Sequence, residues 1–315
     1  MADGEASSPQ APPFARVAIV GCGLIGGSIA LAGRRAGVHF ALHDQDRDAL
    51  ARAEALGLGD SYHAGIADAV SGADCVIACV PVGASEAVAR AIAPHLKSGA
   101  VVSDAGSVKR VVVEAMAPHM PPGIALVPAH PIAGTEQSGP DAAFATLFRN
   151  RWCILTPPEG TDAGAVSCLT AFWEGLGANV ETMDAAHHDR VLAITSHLPH
   201  LIAYNIVGTV SDLEGHTKSE VLKFSASGFR DFTRIAASDP TMWRDVFLSN
   251  QDAVLEMLGR FSEDLALLQR AIRWGDGDQL FELFTRTRDI RRRIVEAGQD
   301  TDAADFGRHA AEETR

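Results

Sequence analysis

Residues 17–32 read VAIVGCGLIGGSIALA, and this stretch decides the fold of the chain. Its four leading apolar residues predict a short buried strand, and a helical pattern follows the glycine-rich turn. In such a turn the first glycine permits a sharp bend, the second lets a pyrophosphate approach the backbone, and the third lets the helix pack against the sheet. The sequence therefore predicts a dinucleotide-binding loop formed by Gly21, Cys22, Gly23, Leu24, Ile25 and Gly26.

The next apolar run, residues 38–43, predicts a second strand that ends beside Asp44. Asp44 lies 18 residues after Gly26, close to the roughly 20 residues expected for a carboxylate that binds ribose hydroxyls. Because a carboxylate there repels a 2′-phosphate, the sequence predicts NAD as the cofactor, although the nearby Arg47 softens the preference. The alternative is a glycine-rich turn without a ligand, with Asp44 as a surface acid.

Composition limits the class of protein. The chain has 315 residues, of which 47% are apolar and 21% charged, as expected of about two globular domains. Its net charge of −13 argues against a nucleic-acid-binding surface, so an anionic substrate requires a local basic cluster. The five cysteines show neither disulfide nor zinc spacing, no apolar stretch is long and unbroken enough to cross a membrane, and the N-terminus lacks the pattern of a signal peptide. We therefore expect a cytoplasmic protein without a membrane or nucleic-acid partner.

Strand and helix patterns alternate from residue 16 to about residue 183. The predicted strands cover residues 16–20, 38–43, 75–80, 100–104, 124–128, 151–156 and 178–182, and the helical patterns include 46–56, 84–94, 107–117 and 164–175. This alternation predicts an α/β fold with a Rossmann-type doubly wound parallel sheet, whose ligands bind beyond the carboxyl ends of the strands. Pro81, just after the third predicted strand, is a predicted cofactor contact.

The second half of the chain has a helical period. We predict a helix over 187–210 kinked at Pro199, a helix start at Asp239 followed by Pro240, and two further helices over about 254–272 and 278–297. The apolar stripe of the first of these two suits an all-α dimerisation domain. The expected organisation is a disordered arm (1–14), a dinucleotide-binding domain (15–185), an all-helical substrate and dimerisation domain (186–298) and a polar tail (299–315).

His130 is a candidate base. It is predicted to lie in a loop just after a buried strand, between Pro128 and Pro131, where ligands of such sheets bind. An imidazole there can take the proton of a substrate hydroxyl as a hydride leaves the same carbon, with turnover falling as pH drops through roughly 6.5. The alternative is a structural histidine that bonds a carbonyl. Ser107 is predicted to open a helix, either as a plain cap or as a partner of a histidine or a substrate oxygen.

Several residues of the helical half are candidates for substrate binding. His197 and His200 share a helix face; without matched Cys or Glu spacing, we favour donors to a carboxylate over a metal site and predict no metal. Arg230 and Arg234, four residues apart, suit carboxylate capture, the alternative being surface arginines paired with nearby acids. Trp243 lies in an apolar helical pattern, typical of a core or interface position.

Taken together, these motifs resemble the prephenate/arogenate (cyclohexadienyl) dehydrogenase family of tyrosine biosynthesis. The resemblance covers about residues 16–297, and its segments are GCGLIGGS (21–28), DAGSVK (104–109), HPIAGTEQSG (130–139), SHLPH (196–200) and FRDFTRIAASDPTMW (229–243). The first segment is shared by many nucleotide-binding folds, whereas HPIAGTE and the last two are far more specific to the family.

The resemblance implies an NAD-dependent oxidative decarboxylation in a homodimer. A hydride passes from ring C4 of prephenate or arogenate to the nicotinamide, the ring carboxylate leaves as carbon dioxide, and 4-hydroxyphenylpyruvate or tyrosine forms. It further implies that His130 is the base at the C4 hydroxyl, that Ser107 assists it beside the nicotinamide, and that Arg234 holds the ring carboxylate. The remaining substrate contacts implied are Thr135, Glu136, His197, Arg230 and Trp243.

Two other functions remain open from the residues. One is an NAD-linked hydroxyacid-type dehydrogenase, which requires a lysine on the first helix of the second domain, whereas this chain offers histidines there and no lysine before Lys218. The other is a non-catalytic NAD-sensing dimer, which leaves His130 and the paired arginines without a purpose. The choice between prephenate and arogenate is open too, because Glu136 favours an amine and Arg230 a second carboxylate.

Overall fold

The computed structural model describes residues 12–34, 37–212, 220, 223 and 227–296. Most of the N-terminal arm, Lys218 and the tail from residue 299 lie outside these ranges. By its internal contacts the chain divides between Val254 and Leu255. The domain boundaries drawn from the sequence stay predictions.

Six parallel strands form the main sheet. The strands of the described part are β1 (Arg16–Val20), β2 (His39–His43), β3 (Ser61–Tyr62), β4 (Cys75–Ala78), β5 (Val101–Asp104), β6 (Ala125–Leu126), β7 (Ala129–Pro131), β8 (Trp152–Leu155) and β9 (Asn179–Thr182). The first six lie in the order β3-β2-β1-β4-β5-β6, which is the order of dinucleotide-binding folds and confirms the Rossmann-type prediction. Alternate residues of β1 enter two separate core clusters, because the sheet is covered on both faces.

The last three strands form a second sheet, so the prediction that residues 151–156 and 178–182 add strands to the main parallel sheet is wrong. β7 pairs antiparallel with β8, and β8 pairs parallel with β9. The chain leaves the main sheet after Val127, whose N–H donates to the Val102 carbonyl, because Pro128 has no N–H to continue the ladder. The Pro128 carbonyl instead accepts from Thr156. His130 therefore lies in a strand. The prediction that it lies in a loop is wrong.

The described helices fill both halves of the chain. They are α1 (Leu24–Gly33), α2 (Arg47–Ala55), α3 (Ile66–Val70), α4 (Ser85–Ile92), α5 (Arg110–Met116), α6 (Ala163–Gly175), α7 (Ala185–Leu192), α8 (Leu198–Ser211), α9 (Ser227–Thr233), α10 (Pro240–Ser249), α11 (Gln251–Trp274) and α12 (Gly277–Ile294). The predicted start at Asp239 is confirmed, since its carboxylate accepts the N–H groups of Thr241 and Met242.

The helix predicted to open at Ser107 starts three residues later, at Arg110. The reason is a residue distant in sequence. The carboxylate of Asp189 accepts the N–H groups of Lys109 and Arg110, over 2.7 and 3.0 Å, and so takes the place of a local cap. Ser107 is left in the bend between β5 and α5.

A π-helical turn, Ala193–His197, joins α7 to α8 just before Pro199 and makes one helix over Ala185–Ser211. Its 27 residues and mean hydropathy of 1.2 are long and apolar enough to cross a membrane by length and composition, which corrects the sequence-based statement that no stretch meets this test. One such helix is weak evidence, because core helices of soluble proteins pass the same test. The buried face of this helix includes His188, Asp189 and His197.

Candidate active site

The glycine loop has the geometry that a bound pyrophosphate requires. Gly21 has a φ of 104°, and a Cβ there would lie 2.3 Å from the Cys79 carbonyl oxygen. A Cβ on Gly26 would lie 2.0 Å from the Gly21 oxygen, so helix and turn touch backbone to backbone. A Cβ on Gly23 would meet nothing within 4 Å, and no side chain caps α1. The start of α1 therefore combines open space at Gly23 with backbone N–H groups that no described side chain caps, as dinucleotide binding requires.

Asp44 lies directly beyond β2 and holds the glycine loop in place. One carboxylate oxygen accepts the Cys22 N–H over 2.8 Å, and the other accepts the Asp46 N–H over 2.9 Å. Each oxygen retains a lone pair for a ribose hydroxyl. Arg47, the residue expected to soften the preference for NAD, is exposed at the start of α2. Pro81 is exposed just beyond β4.

His130 begins a buried chain of hydrogen bonds that ends on a carboxylate. Its Nδ1 lies 2.9 Å from Nε2 of His188, and Nδ1 of His188 lies 2.8 Å from Oδ1 of Asp189. All three side chains are buried. His130 comes from the second sheet, whereas His188 and Asp189 come from α7, so only the tertiary fold brings them together.

Burial decides the charge of both histidines. It lowers the pKa of His130 well below the ordinary 6.5, and the neighbouring His188, Lys109 and His197 lower it further. Burial also lowers the pKa of His188, against the opposing effect of Asp189. The pKa of Asp189 is lowered: burial opposes its ionisation, but the His188 bond and two backbone N–H groups outweigh it. The site therefore holds two neutral imidazoles beside an ionised carboxylate at neutral pH.

A buried ion pair contacts the strand that contains His130. Lys109 is fully buried and donates from Nζ to the Asp104 carboxylate and, over 2.7 Å, to the Ala129 carbonyl. Asp104 also accepts the N–H groups of Gly106 and Ala129. Burial lowers the pKa of Lys109, and Asp104 opposes that shift. The pair ties the end of β5 to the start of β7.

His197 is fully buried near His130, and its Nδ1 lies 3.1 Å from the amide nitrogen of Asn250. Burial lowers its pKa to about 4, and the nearby backbone of Ser107 opposes that shift. His200, one turn further along, is partly exposed and stacks on Trp243 with ring centroids 3.6 Å apart. The Trp243 ring is itself buried.

Arg234 and Glu136 form an ion pair at the half-buried edge of this cluster. The Arg234 Nη1 donates to Glu136 Oε2 over 2.7 Å, and its Nε is buried with no partner in the described part of the chain. Arg230 is exposed and pairs with the adjacent Asp231 at 3.3 Å, the arrangement of the alternative left open by the sequence, and its role in substrate binding stays a prediction. Thr135 is exposed and accepts the Gln137 N–H. Among the described residues, no three His, Cys, Asp or Glu side chains gather as a metal site.

Two family models match consecutive parts of this chain. Residues 29–182 match the nucleotide-binding domain of prephenate dehydrogenase, and residues 184–286 match its dimerisation domain. The chain belongs to the prephenate dehydrogenase family. The resemblance inferred from the motifs is thereby confirmed, and the protein is an oxidoreductase with prephenate or cyclohexadienyl dehydrogenase activity.

Relatives of the prephenate dehydrogenase family share nearly the whole chain. A cyclohexadienyl dehydrogenase of Zymomonas mobilis is 45% identical over 280 residues, 88% of this chain and 95% of its own length. A prephenate dehydrogenase of Bacillus subtilis is 34% identical over 87% of this chain and 75% of its own. The Aquifex aeolicus prephenate dehydrogenase, solved with hydroxyphenyl propionate and NAD+, superposes with a TM-score of 0.82 at 33% identity, covering 89% of this chain and 98% of that one.

Sequence reasoning missed five polar residues of this prephenate dehydrogenase family member. They are Asp104, Lys109, His188, Asp189 and Asn250, all of them buried. A usable signal was present in DAGSVK, since its acid ends a predicted buried strand and an unpaired charge at a buried position is strongly disfavoured. Their partners, however, lie up to 80 residues away.

Proposed function

We propose that this protein oxidises prephenate, arogenate or both with NAD, with His130 as the base at the C4 hydroxyl. The bound cofactor accepts the hydride that leaves ring C4, while the ring carboxylate departs as carbon dioxide and the ring becomes aromatic. The observation that carries the proposal is a buried histidine, neutral at physiological pH, that is held between the second sheet and α7 in a chain with a dinucleotide loop.

His130 suits the role of base because one of its nitrogens is already committed. Nδ1 is engaged by His188, which leaves Nε2 for the substrate hydroxyl. As the hydride leaves, C4 becomes carbonyl-like and its hydroxyl becomes acidic, so that a neutral imidazole in reach draws off the proton. Ser107, placed between β5 and α5, is the proposed second contact of this hydroxyl.

Arg234 suits capture of the ring carboxylate. Among the described residues Glu136 accepts from Nη1 and Nε has no hydrogen-bond partner, so Nε can address a substrate anion. His200, which stacks on the buried Trp243, lies near Arg234: burial lowers the pKa of His200, and the Arg234 charge lowers it further. The contacts proposed from the family resemblance for His197, Thr135, Glu136 and Arg230 remain proposals.

We propose NAD over NADP because of Asp44. Its carboxylate is fixed by two backbone N–H groups at the end of β2, where the adenine ribose binds in folds with this strand order. Fixed negative charge there disfavours a 2′-phosphate.

We further propose a homodimer built on the helical half. Within the helices after Leu255, the apolar side chains Leu265, Ile272, Phe281 and Phe284 are more than half exposed in the single chain.

The test follows formation of NADH by absorbance with prephenate, with arogenate and with simple hydroxy acids. We expect turnover with one or both of the cyclohexadienes and none with the hydroxy acids. Turnover with hydroxy acids alone would indicate a hydroxyacid dehydrogenase instead. Binding of NAD without turnover on any of these compounds would indicate a sensing protein.

His130→Asn tests the base separately. Loss of general-base help lowers kcat by roughly 10²–10⁴ while substrate affinity changes little. Because burial lowers the pKa of His130, the acidic limb of the wild-type rate profile lies below the 6.5 expected from the sequence and disappears in the variant. His187→Gln, on the exposed side of α7, is the matched control. A variant with normal turnover and an intact acidic limb would assign the base elsewhere.

A further inference from the structure

We propose that His188 and Asp189 are positioning residues that fix His130 in the tautomer whose Nε2 is free of a proton. The inference deepens the proposed function, on which it rests, because it explains why His130 presents a base and not a donor to the substrate. It is carried by the directions in which the buried hydrogen bonds of these three residues must run.

Asp189 determines which atoms donate and which accept in this series of hydrogen bonds. Its Oδ1 accepts the Lys109 N–H over 2.7 Å and its Oδ2 accepts the Arg110 N–H over 3.0 Å. Since both oxygens receive backbone donors, the carboxylate is ionised and can act only as an acceptor. Nδ1 of His188, 2.8 Å from Oδ1, must therefore carry a proton and donate it.

The position of the proton on His188 determines the position of the proton on His130. A neutral imidazole has one N–H and one lone pair, so His188 with a proton on Nδ1 has a bare Nε2. Nδ1 of His130 lies 2.9 Å from that nitrogen and must be the donor. Neutral His130 is consequently left with a bare Nε2. The order of hydrogen bonds is the one in which an aspartate orients a catalytic histidine in a hydrolase triad, extended here by one imidazole.

The surroundings keep His130 neutral before reaction and stabilise it afterwards. The ionisable groups that face it are His188 from α7, His197 from the π turn, and Lys109 from the segment after β5, the last with its charge paired to Asp104. When Nε2 takes the substrate proton, the new imidazolium is connected through His188 to the negative charge of Asp189. Within this buried cluster that attraction is stronger than in water.

The same geometry makes the two histidines titrate as a pair. A protonated His188 carries N–H on both nitrogens, so its Nε2 must donate to Nδ1 of His130. That contact forces the remaining proton of His130 onto Nε2, which is the inactive tautomer. The acidic limb of the rate profile therefore belongs to the pair and not to His130 alone.

The first experiment needs no substrate and uses variants only to assign the signals of the wild type. Nitrogen-15 NMR of the free protein labelled at histidine reports which ring nitrogen carries the proton. At neutral pH we expect protonated Nδ1 and bare Nε2 for both His130 and His188, with assignments taken from His130→Asn and from the exposed His187→Gln. A neutral His130 with its proton on Nε2 would overturn the proposal, whatever the protein turns over.

The second experiment removes the positioning residue. His188→Phe keeps a ring but loses both hydrogen bonds, and should lower kcat by roughly 10- to 100-fold, the effect of one charge-assisted hydrogen bond made in the transition state. The KM for substrate and the Kd of NAD should stay near the wild-type values, and the acidic limb should move. His188→Gln places an amide oxygen near the position of Nε2 and should restore part of the kcat and the Nδ1-protonated form of His130. His187→Gln should change none of these values.

The outcomes separate this inference from the proposed function. Unchanged kcat, pH profile and His130 tautomer in His188→Phe would refute the positioning role even if turnover is as proposed. Absence of turnover with both cyclohexadienes would refute the proposed function, and the NMR measurement on the wild type would still decide the tautomer. Should His188→Phe fail to fold, that wild-type measurement and His188→Gln decide the matter.

Discussion

The guanidinium of Arg234 is held by Glu136, 98 positions away in sequence, through a 2.7 Å hydrogen bond. Each side chain is 31% exposed, so the pair lies at the border between the buried histidine cluster and solvent. Glu136 comes from the segment after β7, and Arg234 begins the turn after α9. A substrate carboxylate must share or displace Glu136 to reach Arg234.

Arg234→Gln should raise the KM for substrate by about 30-fold or more. The variant removes the cation of the proposed pair between Arg234 and the ring carboxylate, and truncating one partner of such a buried pair weakens binding by roughly 2–5 kcal/mol. The Kd of NAD should change little. Arg90→Gln is the control, since Arg90 is an exposed arginine of α4 paired with Glu86 and has no proposed role in binding. Steady-state kinetics of both variants with the better cyclohexadiene make the comparison. An unchanged KM in Arg234→Gln would move the anion site elsewhere.

Asp44→Ala should narrow the preference for NAD over NADP. The variant removes the fixed charge that disfavours a 2′-phosphate and also frees the Cys22 N–H, so NAD affinity should fall as well. Asp48→Ala, an exposed acid on α2, should leave the preference unchanged. The measurement is kcat/KM with each cofactor. A wild type that uses NADP at least as well as NAD would contradict the ribose assignment.

Lys109→Met should lower the free energy of unfolding by roughly 3–5 kcal/mol, because it leaves the Asp104 carboxylate buried without its cation. The double variant with Asp104→Asn should recover part of that loss. Lys97→Met is the control: Lys97 makes an ion pair of similar length with Asp74, but it is half exposed and should contribute about 1 kcal/mol or less. Urea unfolding measures all three. Equal losses at positions 97 and 109 would show that burial of the pair is energetically unimportant.

Stability should decrease as pH falls from 6.5 towards 4. The pKa of His197 is lowered from 6.5 to about 4 by burial, so in this range the unfolded chain binds a proton that the folded chain does not. The stabilisation is complete above pH 6.5 and lost as pH falls through the folded value, by roughly 3 kcal/mol for His197 alone. His130 and His188 shift in the same direction. In urea unfolding at several pH values, His197→Asn should flatten this dependence and the exposed His187→Gln should not.

Light scattering at micromolar concentration should give twice the 33.2 kDa of one chain. Phe281, 72% exposed on α12, is an apolar side chain that a monomer would leave in water. Phe281→Asp should therefore weaken the dimer, whereas Gln279→Asp on the same helix should not. A wild type that runs as a monomer would refute the proposed homodimer and any role for residues of a second chain.

Local patterns were sufficient for the fold of the first half. The glycine spacing, the apolar strands and the helical periods are properties of consecutive residues, and they determined the Rossmann-type sheet and the position of Asp44 at its edge. The same is true of the cap at Asp239, which acts on N–H groups two and three residues later. Where a partner is distant, the patterns misled: Ser107 was assigned a helix start that Asp189 moves to Arg110.

By itself, the sequence determined the fold class, the glycine loop with Asp44, and the family to which the HPIAGTE and SHLPH segments belong. The tertiary structure alone decided that His130 lies in a strand of a second sheet, that it meets His188 and Asp189 from α7, and that Lys109 is buried against Asp104. The physical reason is that hydrogen-bond direction and pKa depend on which groups share a buried volume. No spacing along the chain specifies that arrangement, because packing brings His130 to His188, 58 residues away, and places the Asp104–Lys109 pair against Ala129 of another strand.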